Sequence, residues 1–599
     1  MGADKARERA LSVLRQMEAS FADRAEWQAG WLHDFVCSGC SRQLSFVPDA
    51  RQYGQDGFVC GHCGRTFSGE PYRGAWVYLY RRWYAERLQA TALCRDDPQA
   101  VAFLKRYLSF YAAHYGDFPV HGAHAGEGRI MGQSLDEAVF GIRLLKAVDA
   151  CRDCFDAEEL SALRNGLFVP MARLLWPQAQ RVHNISVWIA CCVGMTGLVF
   201  GLGDLLQEAV DGEYGLTRQT GEGLTRDFLW REGSLHYHYY ALEALTAFGS
   251  LLKKHAPGHP LLTTLKEMYL APLRLSPDGW SLPSLNDGWY PLTFGSYGAQ
   301  IVQAARLTGD GALLRLAEEI LRRLPELREE PAVWLAGLEP VPAGLPAAGR
   351  PEPVLCFDGS VAVLRQPFAM TLKSTSLVST HAHRDSLSVT IGGLSGDLGT
   401  PGYGSPITKI WYRGPLAHNG ISIDGNLKVD FPPRPVRLTQ SGAEAVLEGT
   451  LAGESIRASR TLCREGRAIR DRTLVQTERP HVIDWTLHAA GEWRCRGARK
   501  PASPGTRGAW ALFEAVSEVG CTGAFEARTT GEDGCEWVVR LCVPPGMRVF
   551  LARTPSNPSS EERHTILCRT EGTQAAFEAV IERRAGGIAR FARWFRGKG

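Results

Sequence analysis

The chain has 599 residues, 45% of them hydrophobic and 22% charged, with a formal net charge of +3. This is ordinary globular composition, with length for several domains. So small a charge imbalance gives no ground for a nucleic-acid partner, although a local basic patch is compatible with it.

Met1 to Leu11 opens with charges and continues as an amphipathic helix. It has no apolar h-region and no small-residue cleavage site, so no signal peptide is expected. Next come Cys37-Ser-Gly-Cys40 and Cys60-Gly-His-Cys63, two C-x2-C pairs separated by nineteen residues. That spacing suits tetrahedral thiolate ligation of Zn2+, with Phe35, Leu44 and Phe58 as a small core. Four thiolates leave no open coordination position, so the expected role is structural. Other cysteines, such as Cys191, Cys192 and Cys542, lie in apolar surroundings typical of buried thiols, and the whole pattern predicts a reducing, cytoplasmic location.

Helical spacing of apolar residues recurs at Val101–Leu108, Leu135–Leu145, Leu160–Val169, Ile189–Phe200, Leu242–Leu252 and Leu313–Leu324. So many successive helices predict a toroid or helical array. Val187–Leu205 is the nearest approach to a membrane span, but glycines break it, so a buried helix and no membrane partner are expected. A Pro/Gly/Ala-rich linker runs from Glu339 to Pro353. Beyond it the segments at 361–364, 369–373, 387–391, 420–424, 469–475, 482–487 and 537–541 are short, alternating or β-branched, and bounded by turn residues, which predicts an antiparallel β-sandwich. The expected organisation is 1–70 for a helix and the cysteine insert, 71–345 helical, and 351–599 β. The basic run at 590–596 reads as a docked terminal helix.

Several polar constellations punctuate this frame. His381-Ala-His383-Arg384-Asp385 precedes Gly396-Asp397-Leu-Gly-Thr-Pro-Gly-Tyr403-Gly404 and Ala417-His418-Asn419. In a strand His381 and His383 share a face, which suits a metal or paired proton and metal chemistry. Upstream lie Arg181-Val-His183-Asn184, the phenol- and imidazole-rich Glu232-Gly-Ser-Leu-His236-Tyr237, and a polar loop around Asn286-Asp287. Singly, each is also explained by capping or by core aromatics with wet hydroxyls.

Together, His183-Asn184, Glu-Gly-Ser-x-x-Tyr at 232–237, His-x-His-x-Asp at 381–385, Asp-x-Gly-Thr-Pro-Gly-Tyr at 397–403 and Ala-His-Asn at 417–419 resemble the heparinase II/III-like superfamily of polysaccharide lyases. The similarity runs from roughly residue 70 to the end; the cysteine pairs and the missing signal peptide depart from its secreted or periplasmic members. The resemblance implies an α+β multidomain fold, an incomplete (α/α) toroid followed by an antiparallel β-sandwich. It implies β-elimination next to a uronic acid in an acidic poly- or oligosaccharide, with Asn184 neutralising the carboxylate, His183 assisting or acting as base, Tyr237 as base and acid, and His381 assisting. It also implies a divalent metal, Zn2+ or Mn2+, on His383, Asp397 and His418, with Asp385 as an alternative ligand or support. Arg73, Trp76, Arg81, Gln133, Glu232, His236, Asn286 and Arg413 are expected subsite residues, arginine supplying the fork that carboxylate and sulfate prefer. The sequence is silent on oligomeric state.

Three rivals stand beside this expectation. A glycoside hydrolase on a helical toroid needs paired carboxylates, for which Glu232, Asp287 and Asp136 are available. A metal-dependent amidohydrolase matches His-x-His but needs a parallel α/β barrel. A carbohydrate-binding protein without catalysis keeps the same fold.

Overall fold

The computed structural model describes residues 2–336, 353–374, 381–427 and 434–584. The expected linker falls almost wholly outside these residues, and the basic run at 590–596 entirely so. The chain divides into two compact units. The first holds Met1–Leu224, Tyr237–Ala271 and the helices from Phe294 on. The second holds Thr225–His236, Pro272–Thr293 and the strands from Val354 on. Residues 1–70 therefore share a unit with the helices that follow. Two segments expected in the helical half join the strands instead, because their polar groups are satisfied there. Asp227 accepts the Phe357 N–H at 2.8 Å, and Asp358 accepts the Arg226 N–H at 2.8 Å.

The first unit is an incomplete (α/α) toroid. Its main helices are α1 (Gly2–Ser20), α2 (Glu70–Arg87), α3 (Pro98–His114), α4 (Ser134–Ala150), α5 (Asn184–Phe200), α6 (Leu235–His255), α7 (Gly298–Thr308) and α8 (Gly311–Arg323). Local chemistry sets their ends. The Asp97 carboxylate accepts the first free N–H groups of α3, at Gln99 and Ala100, both at 3.0 Å, with Pro98 at a position that needs no N–H. Asp310 does the same for α8. Helix α5 is apolar on every side and buried from Ser186 to Val199, so it takes a central place against α4. By contrast α8 buries only Leu313, Leu316, Ala317, Ile320 and Leu321, one stripe that packs on α7. The helix expected over Leu160–Val169 is interrupted by a π turn at Arg164–Phe168, just before Pro170, whose missing N–H cannot continue the α ladder.

The second unit is β-rich. Strands β3 (Val354–Cys356), β4 (Val361–Leu364), β5 (Met370–Lys373) and β6 (Val389–Ile391) form one antiparallel sheet in that order; β1 (Phe58–Val59) and β2 (Thr66–Phe67) are a small hairpin of the first unit. The larger sheet contains β7 (Ile421–Ile423), β8 (Gly442–Leu451), β9 (Glu454–Glu465), β10 (Ala468–Ala489), β11 (Glu514–Val519), β12 (Gly523–Thr530), β13 (Glu536–Val543), β14 (Arg548–Pro555) and β15 (Glu562–Arg584). Its path runs β8-β9-β10-β15-β13-β12, with β7 on β10, β14 on β15 and β11 on β14. The two strands expected at 469–475 and 482–487 are halves of β10, with a register shift between Gln476 and His481. The first half pairs with β9 and the second with β7, so the bent pair β10–β15 serves both layers of the sandwich. Inward residues such as Ile456, Ala458, Leu462, Trp485 and Trp537 fill the core. Cys191 and Cys192 are buried as expected, but Cys542 is exposed, because strand alternation in β13 turns it outward.

One buried ion pair ties the start of the chain to α2. Arg81 donates from Nε to Asp23 at 2.9 Å and from Nη2 to the same carboxylate at 3.0 Å, and the Tyr111 hydroxyl adds a third bond at 2.5 Å. Both side chains are fully enclosed. Removing one partner leaves an uncompensated buried charge. Asp23→Ala is expected to destabilise the helical unit by about 3–5 kcal/mol, read by denaturant unfolding with tryptophan fluorescence.

Candidate functional site

In the second unit the His381–Asp385 segment is a loop, not the strand expected for it; regular pairing begins only at Val389. Its backbone groups bond to other loops. Asp287 N–H donates to His381 O at 3.2 Å, His383 N–H to Asn286 Oδ1 at 3.2 Å, and Arg384 N–H to Arg413 O at 3.0 Å. Both imidazoles still reach one group, the buried carboxylate of Asp287. His381 Nδ1 lies 3.1 Å from Oδ2 and His383 Nε2 3.0 Å from Oδ1. The Tyr403 hydroxyl donates to Oδ2 at 2.8 Å, and Arg413 approaches with Nε at 3.2 Å and with Nη2. Burial pushes the Asp287 carboxyl upward, but its bonds to the two histidines and the nearby Arg413 charge outweigh that and hold it well below the carboxylate range. His381 Nε2 stands 3.3 Å from Glu232. Burial opposes charge on His381, yet hydrogen bonds to Asp287 and Glu232 prevail and raise its pKa above an ordinary histidine's. Two carboxylates beside one imidazole favour its protonated form, in which both ring nitrogens donate.

His383, Asp397 and His418 place one ligand atom each within 4.8 Å of one another, a group able to hold a metal ion. With Nε2 of His383 on Asp287 and Nε2 of His418 3.0 Å from Tyr412 O, Nδ1 is the ring atom left to face the other ligands. Burial opposes charge on His418, but the Asp397 and Asp385 carboxylates outweigh it and raise its pKa. Asp397 uses Oδ1 for the Gly399 N–H at 2.9 Å and turns Oδ2 to His418 Nδ1 at 3.4 Å. Gly399 is needed there: with φ of 54° it packs so closely that a Cβ would lie 2.0 Å from Gly288 O. Asp385, the alternative ligand, is instead engaged by Lys373, whose Nζ lies 2.6 and 2.8 Å from its two oxygens. Burial raises that carboxyl, and the Lys373 charge more than reverses the effect.

The first unit carries the remaining candidates. His183 caps α5, its Nδ1 accepting the Ile185 N–H at 3.3 Å, so the ring proton resides on Nε2. Asn184, buried, is the first residue of α5. Tyr237 lies in the first turn of α6, half-buried, 6.4 Å edge-on from Tyr240. Gln133 precedes α4 and donates to Asp136. Arg73 is exposed beside Glu70.

Three expected subsite residues are structural. Trp76 is 0% exposed and donates its indole N–H to Gln52 at 2.7 Å. Arg81 is held by Asp23. Asn286, 1% exposed, donates to Gly233 O at 2.8 Å and accepts from Lys373 at 2.6 Å. Packing closes each of them off from a glycan. Of the others in the second unit, Glu232 faces His381, His236 lies edge-on to Trp289 at 5.3 Å, and Arg413 is half-buried on Asp287. Lys373 and Arg460 were not singled out from sequence; Tyr403 stood only as the end of the 397–403 motif, and Asp287 only in the polar loop and as a hydrolase carboxylate. Arg460, in β9, pairs with Asp471 of β10 at 2.9 Å and donates to Leu387 O at 2.8 Å and Asn419 O at 2.7 Å, clamping the loops that bear His383 and His418. An arginine amid strand residues was the available signal, since burial demands a partner for such a charge.

A family model described as alginate lyase matches residues 170–264, a stretch that includes His183, Asn184 and Tyr237. The exo-oligoalginate lyase of Saccharophagus degradans is 29% identical over 243 residues, 37% of this chain and 32% of that protein. The alginate lyase of Stenotrophomonas maltophilia is 26% identical over 418 residues, 61% of this chain and 55% of that protein. The chain thus spans about half or less of the length of these curated relatives. The crystal structure of heparinase III superposes on 98% of this chain and 92% of its own, with a TM-score of 0.62 at 13% identity, a likeness of fold.

Arg460→Met is expected to cost the β unit about 3–5 kcal/mol by stranding Asp471, measured by denaturant unfolding. The double variant Arg460→Met, Asp471→Leu recovers most of that loss, because no charge then stays buried alone.

Proposed function

We infer that this chain, a member of the polysaccharide lyase superfamily, cleaves a uronate-containing acidic glycan of the alginate type by β-elimination. The observation that carries this reading is the alginate lyase match over 170–264, which takes in an amide, an imidazole and a phenol suited to the three tasks of the reaction.

Those tasks follow from the substrate. The C5 proton of a uronate becomes acidic only when the neighbouring carboxylate is neutralised by hydrogen bonding. Asn184, with its amide N–H groups, and His183, with its proton on Nε2, supply neutral donors of the kind that stabilise developing negative charge. Tyr237 takes the C5 proton as phenolate. The freed electron pair forms the C4–C5 double bond, the bond from C4 to the bridging oxygen breaks, and that oxygen leaves with a proton returned by the phenol. A free phenol ionises near ~10, so a polar or cationic neighbour must lower the cost of the phenolate. Within the β unit His381 stands between Asp287 and Glu232, two carboxylates that favour its protonated form.

The donor set of His383, Asp397 and His418 fits a divalent ion, Zn2+ or Mn2+: two imidazole nitrogens and one carboxylate oxygen close together. When bound, such an ion supplies positive charge and cross-links the loops that carry its ligands. The residues present then act around it, with Asp287 and the Tyr412 carbonyl orienting both rings through Nε2.

Incubation with alginate oligosaccharides is expected to release products with the ultraviolet absorbance of an unsaturated uronate; new reducing ends without that absorbance would mean hydrolysis. Tyr237→Phe should lower kcat by about 100-fold or more with little change in KM. Unchanged turnover in that variant removes the assignment of Tyr237. His418→Ala should lose the divalent ion of the β unit, as read by elemental analysis of dialysed protein.

A further inference from the structure

We propose that Cys37, Cys40, Cys60 and Cys63 bind one structural Zn2+, and that this ion fixes the loop leading to Gln133. Three sulfur separations carry the first half. Cys37 and Cys63 lie 3.6 Å apart, Cys40 and Cys60 3.6 Å, and Cys40 and Cys63 4.0 Å. Four thiolates about 2.3 Å from a central Zn2+ stand roughly 3.8 Å apart at the corners of a tetrahedron. All four ligand atoms fall within 4.8 Å of one another. Two disulfides would bring the sulfurs together in bonded pairs, whereas here one sulfur, that of Cys40, is similarly close to two others.

The backbone repeats the same turn at both pairs. Cys37 N–H donates to Arg42 O at 2.8 Å and Ser41 N–H to Cys37 O at 2.8 Å; Cys60 N–H donates to Arg65 O at 2.8 Å and Gly64 N–H to Cys60 O at 2.9 Å. The residue after each second cysteine is left-handed, Ser41 at φ 57° and Gly64 at φ 73°. Such a conformation is rare for serine and persists where its surroundings dictate it. Gln52, between the two cysteine pairs, accepts the Trp76 indole N–H at 2.7 Å and so ties that part of the segment to α2; around the cysteines themselves stand only the two-residue strands β1 and β2 and Phe35 against Phe58 at 5.0 Å among the described contacts. A hairpin that small is not stable without a staple, and a closed set of four thiolates provides one without an open position for chemistry.

The second half follows from what the ribbon anchors. Ala29–Asp34 runs directly into Phe35, and it also holds the loop from His121 to Gly132. The His121 ring lies 3.1 Å from Ala29 O, and Trp31 stacks on His124 at 4.2 Å and 10°. A Cβ on Gly132 would meet Ala29 O at 2.2 Å, so the two backbones touch. The next residue, Gln133, starts α4. Metal in the ribbon thereby orders Ala29–Asp34 and, through it, the loop.

The protein as purified should contain thiolate-bound zinc that a mercurial releases in step with thiol titration, followed with a chromogenic chelator. His418→Ala should retain one such zinc per chain and Cys60→Ser should lose it. Hydrogen exchange across 121–132 should quicken in Cys60→Ser, with peptides of α8 unchanged. Iron in place of zinc, no zinc released by the mercurial from the wild-type chain, or a Cys37–Cys63 disulfide in peptide maps would overturn the metal assignment. Unaltered exchange in the loop of zinc-free protein would overturn the coupling. None of these measurements uses a glycan, so they stand or fall apart from the lyase reading.

Discussion

The β unit is organised around a carboxylate that has no business in a dry interior unless it is surrounded by donors. Asp287 is fully enclosed, and an ion in such a place costs several kcal/mol unless hydrogen bonds and opposite charge offset it. Here two imidazoles, a phenol and a guanidinium share its two oxygens. The four donors come from three stretches of chain, so the loops at 381–385, 397–404 and 408–413 are mutually dependent. A second pair beneath, Lys373 with Asp385, repeats the logic, and Asn286 joins the two by accepting from Lys373 and from the His383 backbone. Polar satisfaction acts on these loops together with the packing of Leu398, Trp411 and Tyr412.

One residue type performs several tasks because its neighbours differ. His381 lies between Asp287 and Glu232, which raise its pKa and favour donation from both nitrogens. His383 and His418 each spend Nε2 on an acceptor and leave Nδ1 toward the other members of the cluster. His183 uses Nδ1 to close the start of a helix. Chemical role follows from which ring nitrogen is already engaged, a property set by the second partner rather than by the imidazole itself.

This explains what could and could not be read from residue order. Periodic information is local, so the all-apolar α5 and the single stripe of α8 were visible, as was the change from helical to alternating spacing near residue 351. The clustered motifs of the β half also announced themselves, since His, Asp and Gly at fixed short offsets are rarely accidental. The partner of a buried ion is a different matter. Asp287 sat in what read as a polar loop, and nothing near it in sequence pointed to His381 or Arg413. Likewise Trp76 and Arg81 looked like surface recognition residues until Gln52 and Asp23 were found opposite them. The His381–His383 strand was a reasonable expectation from alternation, but its backbone groups found loop partners instead of a ladder.

Chain continuity has a further outcome. Because Thr225–His236 and Pro272–Thr293 belong with the strands, the polypeptide passes back and forth before the β region proper begins. A fragment starting near residue 350 would lack Glu232, Asn286 and Asp287 altogether, removing the carboxylates that His381, His383 and Arg413 share. The strand-rich part is therefore not a cassette that can be excised, grafted or inherited separately. Its histidines keep the Asp287 and Glu232 carboxylates only in a polypeptide that still contains residues 225–293.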